Sequence, residues 1–201
     1  ACGILIVLAF QGTKPVIERN RAEALNKAIF HVLPEARSSV TFRLEADGGF
    51  APLTGKAGGA QVVHAGYAAD GRLVGFAVQA QGMGYQDAIV VLYAYTPELD
   101  AVTGFRVLES RETPGLGDKI DFDPGFLANF ERLSVELAAD LSAVLHPIES
   151  VKHGEKTQPW QIDAITGATV SSVAVAKILR ESTALWTPRI RQHLDDFRQG
   201  S

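Results

Sequence analysis

The chain holds one cysteine, Cys2, and one methionine in 201 residues. A lone cysteine excludes an intrachain disulfide, a cysteine-ligated iron–sulfur cluster and a zinc ribbon, so any redox chemistry has to come from another group. The histidines, His31, His64, His146, His153 and His193, never take the close paired spacing of helix-borne metal ligands, and no metal site is expected. Positive charge is scarce too. Lys and Arg number 19 against 23 Asp and Glu, a formal net charge of −4 without a basic cluster, which argues against nucleic acid as a partner. What the chain has is ordinary: 46% hydrophobic and 21% charged residues suit one domain with a core, or a domain plus an appendage.

The first ten residues, Ala1 to Phe10, are continuously apolar, yet a membrane helix needs roughly 20 such residues. The run reads as the tail of a membrane helix, the end of a signal peptide, a buried strand or, less naturally, a segment behind a lipoprotein cysteine. The first is the expectation, because so many exposed hydrophobes are rare at the start of a soluble chain. Residues 1–12 are thus expected to end an N-terminal transmembrane helix. Residues 13–38 are expected to form a juxtamembrane helix, with Pro15 at its start and Pro34 as its stop. Residues 39–201 form the main domain.

Within that domain the hydrophobic period changes to two. Val40–Leu44 alternates, Gln61–Gly66 extends, and Asp70-Gly71 marks a hairpin into Leu73–Ala80. Ala88–Tyr95 is nearly unbroken in apolar residues, as a central strand covered on both faces would be. Phe105–Leu108 returns beside it in a meander. Asp123 and Pro124 start another helix, and the tail from Pro188 reads as a short solvated one. The fold class is α+β, an antiparallel sheet flanked by helices.

Two stretches carry chemistry. Asp163-Ala164-Ile165-Thr166-Gly167-Ala168-Thr169-Val170-Ser171-Ser172 stands before a helical rhythm, Val170, Val173, Ala174, Ile178 and Leu185. Thr169, Ser171 and Ser172 then sit at a helix start, where unpaired N–H groups and the positive end of the macrodipole favour an anion. Gly167 and Ala168 leave the backbone bare. A plain N-cap is the competing reading. In Glu112-Thr113-Pro114-Gly115-Leu116-Gly117-Asp118-Lys119, Pro114-Gly115 suits a type II turn and Leu116 is held on an exposed loop; a simple surface turn is the alternative. At the bend before the central strand, Gly84-Tyr85 offers an aromatic ring that could stack on a flat ligand, or pack inward. Trp160 stands near enough in sequence to wall the same pocket.

Asp163-x-x-Thr166-Gly167-Ala168-Thr169 resembles the flavinylation motif of the FMN-binding domains found in bacterial Rnf and sodium-pumping NADH:quinone reductase complexes, and Glu112–Gly117 resembles the loop that covers the flavin there. Gly84 and Tyr85 match the family more loosely. The compact chain and its Gly-Leu-Gly-Asp-Lys-Ile run are more similar to the Rnf member of the family, its G subunit, than to the C subunit of the sodium-pumping reductase. The resemblance implies an FMN-binding domain with FMN held covalently, by its phosphate, on the Thr169 hydroxyl. Thr166, Gly167, Ala168, Ser171, Ser172, Glu112, Thr113, Leu116, Gly117, Lys119, Gly84 and Tyr85 would line the cofactor, with Lys119 near the reduced ring. Asp163 would serve recognition by the flavin transferase or a loop hydrogen bond.

No catalytic base, nucleophile or substrate pocket is visible, so an electron carrier is expected rather than an independent enzyme. By the resemblance it would work among the subunits of a membrane complex linking ferredoxin, NAD and ion movement. It would be single-pass in the bacterial inner membrane, with the flavin domain on the periplasmic or outer side. The alternatives are the flavin-bearing module of a membrane redox sensor, the related subunit of a sodium-translocating NADH:quinone reductase, and an assembly subunit that is never flavinylated.

Overall fold

The run beginning at Ala88 places Val91, Tyr93 and Tyr95 on one side of a strand and Leu92 and Ala94 on the other, and all five are buried. In a computed structural model of the chain, which describes residue 17, residues 19–55 and residues 57–198, this segment is the strand β5 (Ala88–Thr96) of a seven-stranded sheet. The others are β1 (Ser38–Leu44), β2 (Phe50–Pro52), β3 (Val62–Tyr67), β4 (Leu73–Met83), β6 (Ala101–Glu109) and β7 (Leu133–Ser134), in the order β2-β1-β3-β4-β5-β6-β7. Every neighbouring pair is antiparallel. The strands β3 to β6 form the expected meander, and Gly71, at φ +81°, turns the hairpin between β3 and β4. A separate parallel pair joins β8 (Glu149–Val151) to β9 (Gln161–Asp163).

Helices cover both faces, as period-two strands with two apolar sides require. On one face the helix α1 (19–32) and the turn after it set Ala28, Ile29, Val32, Leu33 and Ala36 against Ala77, Leu92 and Ala94. The contact is close because Gly104 lies beneath it: a Cβ there would meet the Val32 carbonyl oxygen at 2.6 Å. The opposite face carries the larger core, where α3 (Thr169–Gln192) packs Val175, Ile178, Leu179, Trp186 and Ile190 against Phe76, Val78, Val91 and Tyr93. The one-turn helix α2 (Pro124–Leu127) starts as its sequence suggests, with the Asp123 carboxylate accepting from the Phe126 N–H at 2.9 Å.

Two expectations need correction. The stretch from Pro188 is not a solvated tail, since α3 continues through Pro188 to Gln192 and a 3-10 turn, Leu194–Phe197, follows. The Phe197 ring is fully buried, with ring centroids 4.6–4.8 Å from Phe42, Phe50 and Phe76. The Tyr67 hydroxyl donates to the Phe197 carbonyl at 2.7 Å, and burial pushes that phenol up to about 12. A proline inside a helix costs about 3 kcal/mol; burying Trp186, Ile190 and Phe197, at about 1.5–3 kcal/mol per large side chain, outweighs it. Second, Val170 and Val173 lie on the open side of α3, both about half exposed. Ala174 and Ile178 are buried as expected and Leu185 packs against the core, while the buried stripe takes in Ser171, Ser172, Val175 and Leu179 in place of Val170 and Val173. The apolar run at residues 1–10 lies outside the described residues, and no helix among those described is long and apolar enough to cross a membrane.

Candidate cofactor-binding site

Ile165 to Ala168 form a tight turn closed by the Ala168 N–H on the Ile165 carbonyl at 3.0 Å, and Gly167 occupies it at φ +84° with nothing within 4 Å of where a Cβ would stand. The turn delivers the chain into α3, with Ala168 as N-cap and Thr169 as the first helical residue. Alanine has no side-chain oxygen with which to cap. No side chain satisfies this helix start and its first turn holds no acidic residue, so the Thr169, Val170 and Ser171 N–H groups have no partner among the described residues. Unspent donors at the head of a 24-residue helix favour an anion. Thr169 is exposed, so its hydroxyl is open to solvent at that spot.

The two serines that follow are committed to the protein. Ser172 is buried, its Oγ accepting from the Ile165 N–H at 3.1 Å and donating to the Ala168 carbonyl at 3.0 Å, so it pins the turn and does not face the cleft. Ser171, also buried, donates its hydroxyl to Oε2 of Glu112. The other carboxylate oxygen accepts the backbone N–H groups of Tyr85 and Gln86 at 2.9 and 3.1 Å. Glu112 therefore joins the bend after β4, the loop after β6 and the first turn of α3. Gln86 adds a second tie between the two loops, its Nε2 donating to Thr113 Oγ1 at 2.9 Å.

The loop beyond Glu112 turns at Thr113–Leu116, where the Leu116 N–H reaches the Thr113 carbonyl at 3.1 Å and Gly115 sits at φ +77°. Leu116 is left 50% exposed, opposite Tyr85 at 68% and Val170 at 56%. These three apolar side chains rim a cleft of about 360 Å³, within the roughly 300–1,000 Å³ of small-molecule sites. Glu112, Thr113 and Gly117 line it on the loop side; Gly167, Ala168, Thr169 and Ser171 line it on the helix side.

Of the residues singled out in the sequence, Thr166 and Lys119 fall elsewhere, in a neighbouring cleft with His153 and Asp163. Asp163 holds a loop there. Its Oδ1 accepts the Gly154 N–H at 2.7 Å and its Oδ2 lies 3.3 Å from His153 Nδ1. Asn129 brackets the same backbone, accepting the Asp163 N–H at 3.0 Å and the Lys156 ammonium at 3.0 Å. Burial holds that ammonium below the ordinary lysine range, with the Asp163 carboxylate pulling the other way. Gly84 borders Glu112 rather than the cleft, since a Cβ there would stand 2.5 Å from Glu112 Oε1. Trp160 lines neither cleft and stacks on His146, ring centroids 3.9 Å apart. The sequence reading missed Val170 as a rim residue. An apolar side chain beside an uncapped helix start was the available signal.

A bare turn, an open helix start and an apolar-rimmed cleft at the strand ends of an antiparallel sheet define an α+β domain with a small-molecule site suited to an anion that carries a flat ring. The profile of the FMN-binding domain family matches residues 84–184, and the chain belongs to that family. Over 183 residues it is 33% identical to the G subunit of the ion-translocating oxidoreductase complex of Methanosarcina acetivorans, covering 89% of this chain and 83% of that one. It is 32% identical over 111 residues to the G subunit of the proton-translocating ferredoxin:NAD(+) oxidoreductase complex of Clostridium ljungdahlii, covering 55% of this chain and 52% of that one. Among solved structures, the C subunit of the Na(+)-translocating NADH-quinone reductase of Parabacteroides distasonis superposes with a TM-score of 0.64, covering 91% of this chain and 96% of that one. NqrC of Shewanella oneidensis superposes with a TM-score of 0.56, covering 85% of each. At 17% identity in both cases the likeness is one of fold.

The residues present fit FMN. The unspent N–H groups of Thr169, Val170 and Ser171 suit a phosphate, the open side of Gly167 leaves room beside it, and Tyr85, Leu116 and Val170 offer apolar surface for a flat ring.

Proposed function

We propose that this chain is an electron-transfer subunit of a membrane ion-translocating oxidoreductase complex of the Rnf type, carrying FMN as a phosphoester on the Thr169 hydroxyl. One observation carries the reading: an exposed threonine at the first position of a long, uncapped helix, on the rim of an apolar cleft. Bound FMN supplies the electron chemistry, and the protein supplies attachment, orientation and electrostatics. The N–H groups of Thr169, Val170 and Ser171 hold the phosphodiester charge at the positive end of α3. Tyr85, Leu116 and Val170 bracket the ring and limit its contact with water. Lys119 and Thr166, in the adjoining cleft with Asp163, offer a second surface that a flavin transferase could grip during maturation.

The proposal extends to the other subunits of such a complex as partners, and to an anchor in the bacterial inner membrane through a helix that ends in residues 1–12, with the flavin domain on the outer side. The position of α1 at the same end of the strands as the cleft supports the anchor. Arg21, in the first turns of α1, lies 3.3 Å from Glu109, the last residue of β6, and the site loop follows at once. A chain tethered ahead of α1 would keep the cleft's end of the sheet toward the bilayer.

The test is expression with a flavin transferase, followed by denaturing electrophoresis and flavin fluorescence of the band. Wild type is expected to fluoresce and Thr169→Ala to be dark. A dark wild type, or covalent flavin on Thr169→Ala, refutes the tether.

A further inference from the structure

Glu112 is 6% exposed and has no ion-pair partner among the described residues, an unusual state for a carboxylate in a protein interior. Its surroundings are built for it. Both oxygens receive donors, two backbone N–H groups and one hydroxyl, as an ionised carboxylate does. Two glycines make the space: a Cβ at Gly84 would come to 2.5 Å from Oε1, and one at Gly117 to 2.7 Å from Oε2. Each of these groups comes from a segment that lines or borders the cleft, so this buried residue is part of the cleft wall.

We propose that Glu112 is the positioning and tuning residue of this site: its carboxylate clamps the Tyr85 bend and the first turn of α3 to the covering loop, and its buried negative charge disfavours electron uptake by the group the cleft holds. The inference rests on the flavin reading above. Clamping follows from the three hydrogen bonds, which set where Tyr85 and the Thr169 turn stand relative to Leu116. Tuning follows from Coulomb's law, because a charge shielded from water acts on its neighbour more strongly than one in solvent. Adding an electron to the cleft adds negative charge beside a fixed negative charge.

Two substitutions test this in flavinylated protein. E112Q keeps the shape and an oxygen acceptor for the Tyr85 and Gln86 N–H groups but removes the charge. D87N removes a charge from the same bend at a more open position, where the Asp87 carboxylate pairs with Arg111 at 3.2 Å. Midpoint potentials are read by redox titration against a reference dye, alongside thermal melting. E112Q is expected to shift the oxidised–reduced equilibrium about tenfold toward the reduced form, about 59 mV in a one-electron couple, and D87N by less than about twofold.

An E112Q potential equal to wild type overturns the proposal, as does a D87N shift as large as that of E112Q. If E112Q yields no folded protein, E112D decides. Folded, flavin-bearing E112D with the wild-type potential keeps the proposal, and an unfolded E112D reduces Glu112 to packing and overturns it. Wild type without flavin is the separate failure of the flavin reading, and the proposal falls with it.

Discussion

The loop Thr113–Gly117 contains two glycines held for different reasons, and replacing each by alanine separates conformation from close packing. An alanine Cβ at Gly117 would stand 2.6 Å from Ser171 Oγ, 2.7 Å from Glu112 Oε2 and 2.9 Å from Glu112 Cβ, well inside the roughly 3.5–4.0 Å of ordinary contact. Both neighbours are buried, so relief means moving them apart and giving up the hydrogen bond between them. Overpacking costs about 1–3 kcal/mol and a hydrogen bond to a charged group about 1.5–3 kcal/mol. The same movement relieves the first while losing the second, which gives a net of about 2–4 kcal/mol. In a domain of this size that lowers the melting temperature by about 4–16 °C.

At Gly115 nothing lies within 4 Å of the added methyl, and only the φ of +77° opposes alanine. Its penalty, about 1–2 kcal/mol, is partly offset by the stiffer unfolded chain, so Gly115→Ala is expected to lower the melting temperature by about 1–4 °C. Circular dichroism melts of the apoprotein decide. A Gly117→Ala protein melting within about 2 °C of wild type, or below it by less than Gly115→Ala, refutes the account of Glu112 and Ser171 as a close-packed pair.

Phe197→Ala removes a ring packed on three others and is expected to destabilise by about 3–5 kcal/mol, read as a lower urea midpoint. Gly104→Ala drives a methyl to within 2.6 Å of the Val32 carbonyl. Backbone cannot rotate away, so α1 has to lift, and hydrogen exchange is expected to speed up in residues 28–33 while α3 keeps its protection. His64 is buried beside Thr41 Oγ1 at 2.9 Å, and burial holds its imidazole below the ordinary histidine range. The unfolded chain then binds the proton more readily, so stability is full above the ordinary histidine pKa and falls as the pH drops below it toward the folded value. His64→Gln is expected to flatten that dependence, checked by denaturant melts across pH 5 to 8.

Much of the sheet was legible because its signals are local. Alternation marked β1, Asp70-Gly71 marked the hairpin into β4, and the unbroken run of β5 announced that both its faces are covered. The second half of α3 was not legible. Its Pro188 and its charges suggested an ending, while the reason it continues lies in Phe42, Phe50 and Phe76, far back in the chain. The helix start and the later part of its buried face, Ala174 and Ile178, were placed correctly, but the first turn was not, because Ser171 and Ser172 look polar until their partners at Glu112, Ile165 and Ala168 are known. Ser171 and Glu112 are 59 residues apart, and no spacing rule joins them.

That distribution of partners also divides the motif into what the protein uses for itself and what it leaves open. Asp163, Ser171 and Ser172 are each engaged by protein donors or acceptors, so the turn, the covering loop and the helix start are held in place without help from a ligand. The polar groups left over among the described residues of the motif include the hydroxyls of Thr166 and Thr169 and the first N–H groups of α3. A buried carboxylate compensated this fully has no need of a cofactor to complete it. An uncapped helix start does have unmet donors, and an anion would answer them. The hydrogen bonds of Glu112 and Ser172 therefore fix the turn and the loop from within the protein, and the unmet donors are gathered at the start of α3, where an anion would answer them.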